Sequence, residues 1–403
     1  MEKRSRIFAD DRSDRPNRTS TANMPTGIYI HVPFCRLKCP YCDFYSIADD
    51  GRIPDYLEAL CGELSRCRHA GATADSIYVG GGTPSLLTAA AVGRIIDTVG
   101  RRFAVTGDAE ITLEVNPGTV GRESLAAYRS IGVNRLNIGL QAFDDPSLVF
   151  LGRIHTARQG RDAYEAARAA GFDNVGLDLI YAIPGQTRQQ WRAQMARAVQ
   201  LAPEHLACYS LTVEPDTPLA DRVADGKVRL PTEKMAADLF DMTAAYLNAN
   251  GYNQYEISNF ARQSAAGRPD RRSRHNRKYW MGAPYLGFGP AAHSYCDGTR
   301  WWNHRSLDRY LADMAAGKRP VAEREVLTRA QRLIEFVYLG LRQTVGIAKA
   351  DFELRFAEAF GDRFEPQLTR LIDEGLIEDT GRRVRLTRRG RRFLEGVVIR
   401  LLG

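Results

Sequence analysis

Between residues 27 and 213 the chain alternates short apolar runs rich in β-formers with longer segments whose apolar positions recur at helical spacing. That alternation predicts βα units and a parallel sheet. Six strands are predicted, over 27–32, 76–79, 110–115, 135–140, 174–180 and 205–213, with helices over 53–68, 89–102, 122–131, 156–170 and 189–201. Gly132 and Gly171 follow two of these helices, where a helix end favours a residue that accepts positive φ. Each strand delivers polar or glycine residues near its C-terminal end. These are His31, then Gly80-Gly81-Gly82-Thr83-Pro84, Glu114 with Asn116, Gln141, Asp178, and Thr212 with Glu214. In a parallel α/β barrel that rim carries the active site, so six such ends predict one assembled site.

After about residue 215 the pattern changes. A helix is predicted over 230–251, a short aromatic run over 252–260, a basic loop over 262–278 and a Gly/Pro/aromatic segment over 279–295. Residues 327–403 give three helical patterns, a hairpin around 382–386 and a last helix, an order resembling a winged-helix domain. The expected α/β organisation is therefore a partial (β/α)6 barrel over 24–260, a connecting segment over 261–326 and a helical C-terminal domain over 327–403.

Composition narrows this picture. The chain has 403 residues, 44% hydrophobic and 26% charged, which suits a globular protein with a substantial core. Its apolar runs fall far short of the roughly 18 residues of a membrane span. The net charge of +8 is concentrated at the end, where 381–403 holds eight arginines against Glu395. Such a tail suggests nucleic acid, anionic lipid, an acidic partner or a solvated face. The predicted third helix of the C-terminal domain, 364–375, carries Arg370 among Glu365, Asp373 and Glu374. It is a poor reader of a DNA groove, so no specific nucleic acid is expected. Residues 1–23 lack an apolar core and contain Glu2, Asp10, Asp11 and Asp14, unlike a signal or transit peptide. An unstructured extension is expected there, with Met24 as an alternative start.

Seven cysteines are present, and three of them crowd together in His31-Val-Pro-Phe-Cys35-Arg-Leu-Lys-Cys39-Pro-Tyr-Cys42-Asp-Phe44. The odd count and tight cluster argue against a secreted disulfide framework and for a metal site in a reducing, cytoplasmic setting. Three thiolates at this spacing can hold a [4Fe–4S] cube and leave one iron open to another ligand. A Cys₃His zinc site using His31 and three ordinary buried cysteines are the competing readings. The glycines at 80–82 let backbone groups approach a ligand closely. A dinucleotide-binding reading fails, because the G-x-G-x-x-G spacing is absent and Pro84 interrupts the loop.

CxxxCxxC followed downstream by GGGTP resembles the radical S-adenosylmethionine (SAM) superfamily. From Tyr29 to Tyr295 the chain resembles its coproporphyrinogen dehydrogenase-like branch, and within it the HemW-type haem chaperones. The resemblance implies that Cys35, Cys39 and Cys42 ligate the cluster, whose open iron chelates SAM. It implies SAM contacts from Tyr29, Tyr41, Gly81, Gly82, Thr83, Glu114, Gln141, Arg153 and Asp178. The chemistry of the charged ones suits those roles, although Arg153 and Asp178 would also suit an internal ion pair. Coproporphyrinogen dehydrogenases carry a further cysteine two positions after the third and a longer N-terminal arm. Here Phe44 stands at that position and 28 residues precede Tyr29.

His275-Asn276-Arg277-Lys278-Tyr279-Trp280 matches the HNxxYW signature associated with the HemW branch. His275 is a candidate haem ligand, with Tyr279 and Trp280 offering apolar surface to the macrocycle. Arg268, Arg271, Arg272, Arg274, Arg277 and Lys278 lie near in sequence, placed to meet propionates. A packing histidine is the competing reading, and His293, His304 and Cys296 are other candidate ligands. The expected function is binding haem and delivering it to acceptor haemoproteins, with the cluster, SAM and an electron donor in attendance. Oxidative decarboxylation of coproporphyrinogen III is the alternative, and a nucleic-acid-binding regulator a weaker third. Peripheral contact with a membrane stays open, because many haem acceptors are membrane-bound.

Overall fold

The computed structural model describes residues 24–263 and 269–403. The extension expected at 1–23, and Arg268, lie outside the described residues. Six strands stand side by side in chain order and run parallel: β1 (Thr26–Val32), β2 (Thr73–Gly81), β3 (Ala104–Val115), β4 (Arg135–Gln141), β5 (Val175–Tyr181) and β6 (His205–Ser210). In β5 every residue but Asp178 is buried, as expected of a parallel strand covered on both faces.

The connecting helices are α1 (Ile53–Ser65), α2 (Ala89–Arg102), α3 (Arg122–Ser130), α4 (Asp145–Phe150), α5 (Ala157–Ala169) and α6 (Arg188–Leu201). Helix α2 buries Val92, Ile95 and Val99, a stripe at three- and four-residue spacing that seats it against the sheet. Thr88, Thr156 and Thr187 start α2, α5 and α6 by accepting backbone N–H bonds, worth about 1 kcal/mol each. Gly132 and Gly171, at φ of 101° and 85°, follow α3 and α5.

After β6 come α7 (Pro218–Ala224), α8 (Glu233–Ala249), and the hairpin β7 (Tyr252–Gln254) with β8 (Asn259–Arg262), which pairs antiparallel to β6. Then α9 (Arg274–Met281) leads to β9 (Tyr285–Phe288), which lies parallel to β1 on the sheet's other side. Strands β10 (His293–Cys296) and β11 (Thr299–Asn303), helix α10 (Leu307–Ala315) and strand β12 (Val321–Val326) follow. The sheet order is β12-β11-β10-β9-β1-β2-β3-β4-β5-β6-β8-β7, and its two ends are not joined, so the barrel is open.

A second apolar core, around Val337, Phe352, Phe360, Phe364, Val384 and Val398, belongs to the C-terminal region. There α11 (Arg329–Arg342), β13 (Ile347–Ala348), α12 (Lys349–Phe356), α13 (Phe360–Phe364) and α14 (Gln367–Asp373) precede the hairpin β14 (Ile377–Asp379) and β15 (Arg383–Leu386) and the final α15 (Leu394–Leu402). Helix, strand, helices and hairpin follow in that order with a β13-β15-β14 sheet, as in a winged helix, but four helices and the short β13 precede the hairpin where three helical patterns were expected.

Four further expectations change. Strand β3 begins six residues earlier than 110, because the polar 104–109 stretch pairs with the start of β2 without a buried alternation to announce it. Strand β6 ends at Ser210, so Thr212 and Glu214 fall beyond it. The basic loop gives way at Arg274 to α9, whose first turn is capped by the Ser273 hydroxyl. The segment expected only to connect supplies four strands to the main sheet.

The basic tail is largely consumed internally. Arg392 pairs with Asp241 on α8, Arg388 donates to the Asp241 carbonyl and Arg391 to Gln254 on β7, which fixes this region to the barrel. Arg385 pairs with Glu378 across the hairpin, and Arg400 and Arg389 hold Glu374.

Candidate cluster and cofactor site

The three clustered cysteines sit in the loop that leaves β1. Its neck is closed by Ile47 N donating to Pro33 O at 2.8 Å and Cys35 N donating to Ile47 O at 2.9 Å. Inside it, Cys42 N donates to Cys39 O at 3.1 Å. The thiols are free and half-buried, so the loop presents rather than hides them. Thr83 Oγ1 donates to Cys35 Sγ at 3.4 Å, and Arg153 Nη1 to Cys39 Sγ at 3.4 Å. Donors of this kind stabilise thiolate character.

Next to the thiols runs the glycine end of β2. A Cβ on Gly82 would stand 2.6 Å from Phe34 O and 3.0 Å from Cys35 Sγ, and Gly81 adopts φ 113° against the His31 ring. Only glycines allow this strand to pass so close to the cysteine loop. The Gly81 N–H donates to Glu114 Oε2 at 3.1 Å, and Tyr78 OH donates to Glu114 Oε1 at 2.8 Å. Burial, with Asp178 adding its charge, pushes the Glu114 carboxyl up to about 7. Burial likewise raises Asp178 to about 6, against the Asn137 Nδ2 donor at 2.7 Å.

Arg153 and Asp178 do not pair with each other. Arg153 Nη2 donates to Gly139 O at 3.0 Å, while its Nε and Asp178 Oδ1 are buried without partners. Gln141 reaches the same corner through a positive φ of 66°. Tyr41 lies half-buried beside Cys39 and Arg153; burial and then the Cys39 thiol raise its phenol, while Arg153 opposes them. Tyr29 sits deeper, its OH donating to His31 Nδ1 at 3.0 Å. The structure thus gathers the cysteine loop, Tyr41, Gly81, Gly82, Thr83, Glu114, Gln141, Arg153 and Asp178 at one rim. Asn116 does not join them; its side chain caps the short turn that follows β3.

The zinc reading is corrected by His31. Its Nε2 donates to Tyr45 O at 2.9 Å while Nδ1 takes the Tyr29 hydroxyl, and burial lowers its pKa to about 4. Among the described residues, no three His, Cys, Asp or Glu side chains converge closely enough to share one ion. Three half-buried thiols on one loop, with a glycine cradle and buried polar atoms lacking hydrogen bonds beside them, suit an inorganic cluster with an amino-acid-bearing ligand next to it.

A polar floor beneath the rim escaped the sequence reading. Arg135 is fully buried with Nε and Nη2 lacking hydrogen bonds, its Nε 4.0 Å from Glu110 Oε2, and Asn137 supports Asp178. The sequence Arg135-Leu-Asn137-Ile-Gly139-Leu-Gln141 does carry the signal, a polar residue or glycine at every second position and hence on one face.

His275 is placed differently from the expectation. It is 1% exposed, with Nδ1 bonded to Ser76 Oγ at 3.1 Å and Nε2 to Tyr279 OH at 2.9 Å. Burial lowers its pKa to about 3. Glu110 on β3 holds the helix start, Oε1 accepting from Arg274 N at 2.9 Å and His275 N at 3.3 Å. Both ring nitrogens of His275 are therefore occupied inside the protein, and neither is free to ligate iron in this arrangement. The neighbouring cations are also engaged. Lys278 pairs with Asp75, Arg274 with Asp108, Arg271 with Asp173, and Arg272 and Arg277 with Asp270. His304 pairs with Asp313, and His293 stacks on Trp302. Burial raises the Cys296 thiol to about 12.

A sequence profile of the radical SAM superfamily matches residues 29–197, and one of the HemN C-terminal domain matches 327–393. Heme chaperone HemW of Mycobacterium tuberculosis (strain H37Rv) is 36% identical over 403 residues, covering 98% of this chain and all of that protein. Heme chaperone HemW of Escherichia coli K12 is 32% identical, over 93% and 97% of the two chains. The chain belongs to the HemW family of radical SAM proteins. Membership of the superfamily implies a [4Fe–4S] cluster and SAM. The E. coli coproporphyrinogen III oxidase HemN shares the fold, with a TM-score of 0.79 over 94% of this chain and 90% of its own at 24% identity. Among the described residues of this HemW-family chain, no helix is long and apolar enough to cross a membrane.

Proposed function

We propose that the chain binds haem and passes it to acceptor haemoproteins, with a [4Fe–4S] cluster and SAM as resident cofactors. The observation that carries this reading is the end-to-end likeness to proteins named heme chaperone HemW, at 32–36% identity. Cys35, Cys39 and Cys42 would hold the cluster. The donors from Thr83 and Arg153 to two of those sulfurs favour the ionised thiols that ligation needs. Glu114 would accept from the SAM ammonium, Arg153 would meet its carboxylate, and Asp178 with Asn137 would take ribose hydroxyls. Gly81, Gly82 and Thr83 would line the methionine end, Gln141 the same corner, and Tyr29 and Tyr41 would close the site against water.

When bound, the reduced cluster supplies an electron to the sulfonium of SAM, which requires a one-electron donor from outside the chain. In the cytoplasm the protein would meet membrane-bound acceptors peripherally. Phe44, 64% exposed where the dehydrogenases carry a further cysteine, speaks against porphyrinogen chemistry.

The test uses one anaerobically reconstituted sample. Haemin titration should give a saturable complex, and a haem-free acceptor should then take the haem from it. With SAM, reductant and coproporphyrinogen III, no decarboxylated product should form. Turnover there would replace this reading with the enzymatic one.

A further inference from the structure

We propose that the tetrapyrrole sits in the cleft between α9 and the α11–α12 pair, gripped by its ring faces and its two carboxylates, with His275 as a strut behind the wall. The inference rests on the haem reading and names the place where that reading is carried out.

The cleft encloses about 1370 Å³, more than the roughly 300–1,000 Å³ of most small-molecule sites. Tyr279 and Trp280 from α9, Tyr285 from β9 and Phe336 from α11 supply aromatic wall. Trp280 keeps a buried indole N–H without an acceptor. Such a surface suits a broad, flat, apolar ligand with polar edges.

Its charge is available, unlike that of α9. Arg355 stands with its guanidinium 5.0 Å from the Phe336 ring centre; its Nε is buried without a partner, and its one polar contact is Nη2 to Met281 O at 3.5 Å. Burial lowers its pKa from the usual arginine value. Arg332, beside Gly298 in the turn between β10 and β11, donates only to Leu327 O at 3.3 Å. Among the described residues neither arginine pairs with a carboxylate, whereas Arg300 in the same wall is taken by Glu335. Two arginines without carboxylate partners beside an aromatic cleft match a dianionic macrocycle.

Among the described residues no histidine or cysteine lines the cleft; the thioethers of Met24 and Met281 and the tyrosines are left as side chains of the haem-ligand type. A grip through ring faces and carboxylates leaves the metal weakly held, which suits cargo that must be released. His275 acts through Tyr279, whose hydroxyl it ties to Ser76 on β2. It is a positioning residue.

The test titrates the purified, cluster-loaded chain with haemin, metal-free protoporphyrin IX and haemin dimethyl ester, followed by absorbance. Arg332→Glu and Arg355→Glu should each weaken haemin and protoporphyrin IX together by about tenfold or more, the scale of a lost charge-assisted pair. The dimethyl ester should bind the unmutated chain about tenfold more weakly than haemin, a comparison that needs no variant to fold. His275→Ala should keep haemin affinity within about threefold and shift the two porphyrins alike. Unchanged affinity in the Arg332 variant together with tight binding of the ester would overturn the cleft. So would a His275→Ala chain that loses haemin but keeps protoporphyrin IX, because that marks a metal ligand. A wild-type chain that binds no haemin would overturn the haem reading itself.

Discussion

The barrel rim and the C-terminal arginine tail use charge in opposite ways. At the rim and just beneath it, Asp178 Oδ1, Arg153 Nε and two nitrogens of Arg135 are buried without hydrogen bonds. In the tail, Arg385, Arg392 and Arg400 each find a carboxylate and Arg388, Arg389 and Arg391 find oxygen acceptors, with Arg383 Nη1 and Arg391 Nε left buried without a hydrogen-bond partner. The rim holds few charges and leaves several unsatisfied; the tail holds many and spends most of them on docking. A buried polar atom left open costs about 1–3 kcal/mol, so several gathered beside the cysteine loop point to a ligand, while a run of arginines by itself does not.

The contrast can be broken most severely at the cysteines. Replacing Cys35, Cys39 and Cys42 together with serine should reduce iron and acid-labile sulfide to background after anaerobic reconstitution. Full loading of that variant would remove the rim's claim to a cluster. Next in size is Gly82→Ala, which drives a methyl to 2.6 Å from the Phe34 carbonyl oxygen. Overpacking of this kind costs about 1–3 kcal/mol, read as a lower urea midpoint of the cluster-free chain.

Glu114 sharpens the comparison through pH. Its carboxyl is raised from 4.5 to about 7 by burial, so the folded chain holds this proton more tightly than the unfolded one. The stability it contributes is present in full below pH 4.5 and is lost as pH rises through about 7. Glu114→Gln should therefore gain stability relative to the parent between pH 4.5 and 7.5, on the order of 1–3 kcal/mol. Urea unfolding of the cluster-free proteins at the two ends of that range checks the sign. An equal difference at both would show that this carboxyl is not desolvated. The smallest effect belongs to the tail. Arg400→Ala opens a half-exposed pair with Glu374 and should move stability by no more than about 0.5 kcal/mol. A loss several times larger would mean that the tail pairs carry the fold as the rim does.

The sequence pattern made the βα order, the six parallel strands, the cysteine loop and the glycine end of β2 readable, because each depends on neighbours in the chain. Residues joined only by folding stayed hidden. His275 looked available because Ser76 stands 199 positions away, and the surrounding lysine and arginines looked free because Asp75, Asp108 and Asp173 approach from other elements. The cleft was equally invisible, since Arg332 and Arg355 carry no local motif. Arg135 and Asn137 were readable in principle, through alternation on β4, but lay within a stretch that read first as a strand.

Glu110 has a consequence for how this architecture can be rebuilt. One carboxylate in the barrel wall receives two backbone N–H groups from a helix start 164 positions later. The HNxxYW helix is thus not a portable cassette. Grafting residues 273–281 into another barrel without an acid at the position of Glu110 and a hydroxyl at that of Ser76 would transplant the letters of the motif and lose its posture. The heritable unit is a strand–helix partnership written in two distant places, and a search for it should read both together.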